Sequence, residues 1–292
     1  MAFPASPTNG QTYLQDNVLY TYSSTTNAWT VTTHTENTAP TFNYYTSSGS
    51  FTIPNGAKAL NVVVIGAGGG GGGGSRMGTN YGSGGGGGGG GFSERMFSAS
   101  ELGGAGTTIS YTVGSGGAAG AVTATGSTYL AGNAATAGGD SSFGTFFVAK
   151  GGGGGLAGAE GLSNNGASGG SGMWRGNTSP NIFASVFSIY AGGGAGGGGG
   201  VGAEPPQAGG VPTCTSLAAA TSPSQAGSAN TSYNAPAGGG HGASTAVTPI
   251  AAGAGGLPGG GGGGGGRGGN SGYGGAGGAG GGGLVAITVW YG

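Results

Sequence analysis

Val62-Val63-Val64-Ile65-Gly66-Ala67-Gly68, followed by unbroken glycine to Gly74, joins an apolar β-branched run to a tract almost without side chains. The first four residues suit a buried strand. The glycines that follow imitate a dinucleotide-binding G-x-G-x-x-G fingerprint, but that motif needs a helix next and an acidic residue about twenty positions on. Here Ser75-Arg76-Met77 comes next, and then a second run, Gly84–Gly91. No helix can start there, so the match is one of composition. What remains is a strand that runs straight into polyglycine, and the fold has to explain that junction.

The same element returns along the chain. Uninterrupted runs occupy Gly68–Gly74, Gly84–Gly91, Gly151–Gly155, Gly196–Gly200 and Gly259–Gly266, with Ala-punctuated glycine around Gly114, Gly169, Gly192, Gly238 and Gly274–Gly283. Gly-rich segments commonly serve as flexible linkers. Against that reading, these runs alternate with strands that must meet in space. A packed alternative exists. An extended helix of three residues per turn rises about 3.1 Å per residue and leaves its N–H and C=O groups free for neighbours. With glycine at all three positions such a helix can be contacted on every side, with Cα–H···O contacts in support. An inward Cβ would wedge neighbours apart, so Ala67, Ala195, Ala276 and Ala279 are expected on outer faces only. Ordering a residue costs roughly 1–2 kcal/mol and each hydrogen bond returns about 1 kcal/mol net. One such helix therefore fails alone, whereas many pinned to a sheet can persist.

Strand patterns surround the runs. Phe51–Ile53, Ala59–Ile65, Phe92–Ser98, Thr107–Val113, Phe143–Ala149 and Leu284–Trp290 carry β-branched and aromatic residues. Ile287–Trp290 is expected to pair with an early strand and close a small antiparallel sandwich. Near the start, Thr12–Gln15, Val18–Tyr22 and Ala28–Val31, separated by Asp16-Asn17 and Ser23–Asn27, read as a three-stranded meander whose apolar face carries Tyr13, Tyr20, Tyr22 and Trp29. The expected organisation is a meander module over 1–37, a linker over 38–50, and a glycine-rich β-sandwich and polyglycine-II domain with irregular loops over 51–292. The fold class is mainly β plus polyglycine-II.

Composition narrows the function classes. Only 4% of residues are charged and the net charge is -1, so no basic patch points to nucleic acid or anionic lipid. The aromatic share of 9% is too high for a chain that never folds. No apolar stretch is long enough to cross a bilayer, and no secretory signal is visible. The lone Cys214 allows no intramolecular disulfide. His34 and His241 lack a partner at metal-ligand spacing, and the carboxylates are isolated. The expectation is a non-enzyme without cofactor or metal, and Glu94 and Arg95 are sheet-surface charges.

Binding chemistry concentrates in the interruptions between runs. Arg76, Met77 and Tyr81 sit in one. Trp174, Arg175, Phe183, Phe187 and Tyr190 lie within Met173–Tyr190, Tyr233 within the Pro/Ser/Thr-rich Val201–Ala237, and Tyr273 after Arg267. Tyr, Trp and Arg are favoured interface anchors, and Ser, Asn and Gly around them give adaptable surfaces. Packing against the scaffold is the alternative use for the apolar members.

Two stretches carry a family resemblance. Phe3-Pro4-Ala5-Ser6-Pro7-Thr8-Asn9-Gly10-Gln11, with Tyr20-Thr21-Tyr22 and Ala28-Trp29, resembles a module at the head of many phage tail proteins. Phe51–Gly56, Val62–Gly74, Gly91–Arg95, Tyr111–Gly114, Gly139–Gly144 and Leu284–Tyr291 together resemble phage glycine-rich tail domains. These are similar in kind to the adhesins at the tips of T-even-type long tail fibres. The resemblance implies a virion protein of the tail or tail fibre. Its head module would attach to other phage tail proteins through Tyr13, Tyr20, Tyr22 and Trp29. Its loops would bind a bacterial surface receptor, an outer-membrane protein or a glycan. A homotrimer is the expected assembly for a fibre. The alternative is a purely architectural tail or baseplate decoration that binds only other virion proteins.

Overall fold

The computed structural model describes residues 4–15, 18–32, 39–75, 82–122, 130–159, 251–266 and 274–292. Among them the fold is mainly β, in three antiparallel sheets. The first sheet is the meander of β1 (Thr12–Gln15), β2 (Val18–Ser23) and β3 (Ala28–Thr32). The registers Tyr13↔Tyr20, Tyr20↔Val31 and Tyr22↔Trp29 bring those five side chains to one face, because directly opposed residues point the same way. Thr12, Thr21 and Thr30 line the other. Asn27 turns the β2–β3 connection at φ 47°, a left-handed value that asparagine tolerates.

Two four-stranded sheets face each other to form a sandwich. One has the order β4 (Thr41–Tyr45), β11 (Leu284–Tyr291), β6 (Ala57–Ile65) and β7 (Phe92–Ser98). The other has the order β10 (Phe147–Ala149), β9 (Ser141–Phe143), β8 (Thr108–Thr112) and β5 (Gly49–Thr52). Alternation fills the space between them. Leu60, Val62 and Val64 of β6 and Val285, Ile287 and Val289 of β11 meet Phe51, Ile109, Tyr111 and Phe143 from the opposite sheet, in one buried cluster. Phe97 packs edge-on to Phe146 and stacks on Phe147. Complete burial of this many branched and aromatic side chains, at roughly 1.5–3 kcal/mol each, makes the sandwich the anchor of the domain.

The late strand pairs as the sequence led one to expect. β11 lies between β4 and β6, in register from Leu284↔Ile65 to Val289↔Leu60 and from Val285↔Tyr45 to Val289↔Thr41. Two expectations change. Thr41–Tyr45, read as part of the linker 38–50, is the edge strand β4: its alternation of Phe42 and Tyr44 outward against Tyr45 inward is a half-buried strand pattern. The stretch 143–149, read as one strand, is a hairpin of β9 and β10 that turns at Gly144, whose φ of +51° few other residues adopt.

Candidate functional site

Six of the described glycine rows join a sandwich strand at one end. β6 continues into row 66–75, row 82–91 leads into β7, β8 leads to row 114–122, row 130–140 into β9, β10 into row 151–159, and row 274–283 into β11. Rows 251–256 and 259–266 are joined by a turn at Leu257-Pro258-Gly259, where Gly259 has φ +78°.

Row 66–75 occupies the centre, and its hydrogen bonds rotate with a period of three. Gly66, Gly69 and Gly72 donate to Gly91, Gly88 and Gly85. Ala67, Gly70 and Gly73 donate to Gly139, Thr136 and Asn133, and Gly68, Gly71 and Gly74 to Gly281, Gly278 and Gly275. Its carbonyls accept with the same period from rows 114–122, 151–159 and 259–266. That makes six neighbours, which also bond to one another in a closed ring: 82–91 to 151–159, then 130–140, 114–122, 274–283, 259–266 and back to 82–91. Row 251–256 lies outside rows 259–266 and 274–283, donating through Ala252 to Ala276 and accepting at Gly253 from Gly263.

Such packing excludes side chains from the centre. A β-carbon on Gly71 would lie 1.9 Å from the Gly263 carbonyl oxygen, and one on Gly72 2.0 Å from that of Leu156. Outer rows read differently. In row 114–122 only Gly114, Gly117 and Gly120 are buried, while Ser115, Ala118, Ala119, Ala121 and Val122 are exposed. In row 274–283 Ala276 is half-buried and Ala279 exposed, both as expected. Ala67 departs from the expectation. It is fully buried in the central row, in its first turn beside the sandwich, although its amide and carbonyl already bond to Gly139 and Gly152. Ala195 lies outside the described residues.

Polar side chains finish the junction between strands and rows. Buried Ser141 accepts at Oγ from the Gly114 amide at 2.9 Å. Asp140 accepts from the Gly151 amide at 2.9 Å and from Lys150 Nζ at 2.6 Å, and these donors hold its carboxyl below the usual aspartate value. Thr136 Oγ1 accepts from the Ala118 amide at 2.7 Å. Asn61 Nδ2 donates to Glu94, and Arg95 pairs with Glu101 and lies over the Phe97 ring, so both charges sit on the sheet surface.

The rows carry the chain away from the sandwich and back. Residues 75 and 82, 122 and 130, 159 and 251, and 266 and 274 all lie at the end of the array remote from the sheets. The pairings Ser75→Gly82, Gly82→Ala159, Gly74→Gly275, Asn133→Ala121 and Ala252→Ala276 fix this level. The segments bounded there are 76–81, 123–129, 160–250 and 267–273. All ten proposed receptor residues, Arg76, Met77, Tyr81, Trp174, Arg175, Phe183, Phe187, Tyr190, Tyr233 and Tyr273, lie outside the described residues, as do Cys214, His34 and His241. Segment 123–129, with Tyr129, was missed as a candidate, although the thinning of glycine between Gly120 and Gly132, to Gly126 alone, is the same signal that marks 76–81. Of the proposed attachment residues, Trp29 lies 6.1 Å from Tyr13 and 5.4 Å from Tyr22, ring centre to ring centre, and Tyr22 Oη bonds Asn27.

A mainly-β sandwich whose strands run on into glycine rows defines a glycine-rich domain. The family model described as a glycine-rich domain matches residues 46–290, and the chain belongs to that family. No curated protein matches the chain significantly.

Proposed function

We propose that this protein is a bacteriophage tail component, a tail fibre or receptor-binding adhesin that attaches the virion to a bacterial surface without catalysis. In this reading its rows are polyglycine-II helices. The observation that carries the proposal is the common level of the four loop attachments. Segments 76–81, 123–129, 160–250 and 267–273 all spring from the end of the array opposite the sandwich, and function on such scaffolds concentrates in loops held by a rigid frame. The three-residue rotation of donors and the six-fold contact of row 66–75 support the helix type, because an extended helix of three residues per turn presents its amides in three directions. The low charge of the chain suits a particle-bound surface. The aromatic face of the meander, with Tyr13, Tyr20, Tyr22 and Trp29, supplies the attachment to other tail proteins, and the partner at the loops is an outer-membrane protein or a glycan.

Deleting residues 173–190 tests this reading on whole particles. Adsorption to host cells is expected to be lost while particles still assemble. Normal adsorption by the deleted particle refutes the loop assignment. Loss of the protein from particles after Trp29→Ala would support the meander as the attachment.

A further inference from the structure

In row 114–122 each residue type follows from what the position faces. Gly114, Gly116, Gly117 and Gly120 lie against neighbouring rows. A β-carbon there would stand 2.0–2.2 Å from the carbonyl oxygens of Gly139, Gly280, Thr136 and Asn133. The other five, Ser115, Ala118, Ala119, Ala121 and Val122, are exposed, and all carry side chains. The same division holds across the array. Among the described rows no glycine is exposed, and every exposed position has a β-carbon, as at Ala134 and Ala137, Leu156 and Ala279. Rows 66–75, 82–91 and 259–266, in which every residue is buried, carry side chains only at Ala67, Ser75 and Ser83.

Backbone entropy favours this division, because glycine costs more to order than alanine wherever a side chain has room. A second physical effect acts at the same positions. Around row 66–75 bare backbone adheres to bare backbone in every direction. An outer row of glycine alone would offer that adhesive surface to solvent, as an unguarded sheet edge does. A second copy of the chain carries the matching row, and identical faces complement each other about a two-fold axis. We propose that the side chains of Ser115, Ala118, Ala119, Ala121 and Val122 act as a lateral stop, which keeps a second copy from docking its own row 114–122 there. A β-carbon on either copy holds the two backbones beyond hydrogen-bonding distance, so the array ends at this face. Neither the tail reading nor any receptor enters this proposal.

Sedimentation of the full-length chain over a concentration series tests it, with the parent chain's own assembly state as the baseline. Replacing all five residues by glycine is expected to raise the average mass towards twice the parent value at high concentration. Hydrogen exchange in the peptide covering 114–122 should slow about tenfold as the mass rises. The variant Ala118→Ser, Ala119→Ser, Ala121→Ser and Val122→Ser keeps every β-carbon and is expected to stay at the parent mass. A folded glycine variant that also stays at the parent mass overturns the lateral stop, leaving backbone entropy as the whole cause. Association without slower exchange at 114–122, or equal association of the serine variant, overturns it as well. If the glycine variant loses exchange protection in β8, the milder Ala119→Gly with Ala121→Gly decides by the same two readouts: association with slower exchange at 114–122 supports the stop, and the parent mass refutes it.

Discussion

The sandwich and the glycine array are built from the same chain segments and hold together by opposite means. In β6, Leu60, Val62 and Val64 point into a shared core and the backbone bonds only to its neighbours in the sheet. Beyond Ile65 the only side chains of the row are the Ala67 methyl and the Ser75 hydroxyl, and the backbone bonds in six directions. Facing sheets stand about 10 Å apart because side chains fill the gap. Where none exist, the facing strands close up, which is why the continuation of β6 becomes the centre of a ring drawn from both sheets. Specificity in the sandwich comes from shape, and in the array from the absence of shape.

The comparison breaks most sharply at the central row. Gly71→Val puts branched carbon where a carbonyl already lies 1.9 Å from the first added atom. The expected loss exceeds the roughly 1–3 kcal/mol of ordinary overpacking, because backbone on both sides cannot move to a new rotamer. The urea midpoint measures it, and a loss below about 1 kcal/mol would mean the rows are loosely held. Phe143→Ala, which empties a fully buried position of the sandwich, comes next at about 3–5 kcal/mol. If both regions form one cooperative unit, the array loses exchange protection at the same denaturant concentration as the strands. Ala279→Ser, on the exposed side of an outer row, is expected to stay within about 0.5 kcal/mol of the parent chain in the urea assay.

A small effect sharpens the junction. The Asp140 carboxyl titrates below its ordinary range because Lys150 and the Gly151 amide favour its charged form. Its contribution to stability is therefore present above the unfolded aspartate range and fades as pH falls through the lower folded value. The pair is about half exposed, so the contribution is modest. Thermal unfolding followed down the acid range should drop less in Asp140→Asn than in the parent chain, and parallel curves would remove Asp140 from the junction.

Much of this was legible beforehand because strands leave period-two signals and glycine runs are unmistakable. The sequence pattern marks β7 with its observed ends and pairs β11 with an early strand. β4 was missed because Thr41-Phe42-Asn43-Tyr44-Tyr45 is short and half polar, and only its pairing with β11 makes it a strand. The β9–β10 hairpin was hidden because Gly144 looked like one more glycine, when its positive φ makes it a turn. Ala67 is fully buried in the central row, and nothing in the sequence distinguishes its methyl from those on the outer faces of other rows. The ring itself is not written in any one run. It follows from the order in which strands of two sheets feed the rows, which no local pattern carries.

Chain order adds a consequence of its own. The amides of Gly68, Gly71 and Gly74 wait for carbonyls at residues 281, 278 and 275, and the slot between β4 and β6 waits for β11. A polypeptide emerging vectorially would hold row 66–75 unfinished until residues 275–289, some two hundred positions later, have emerged, so closure of the domain waits on β11.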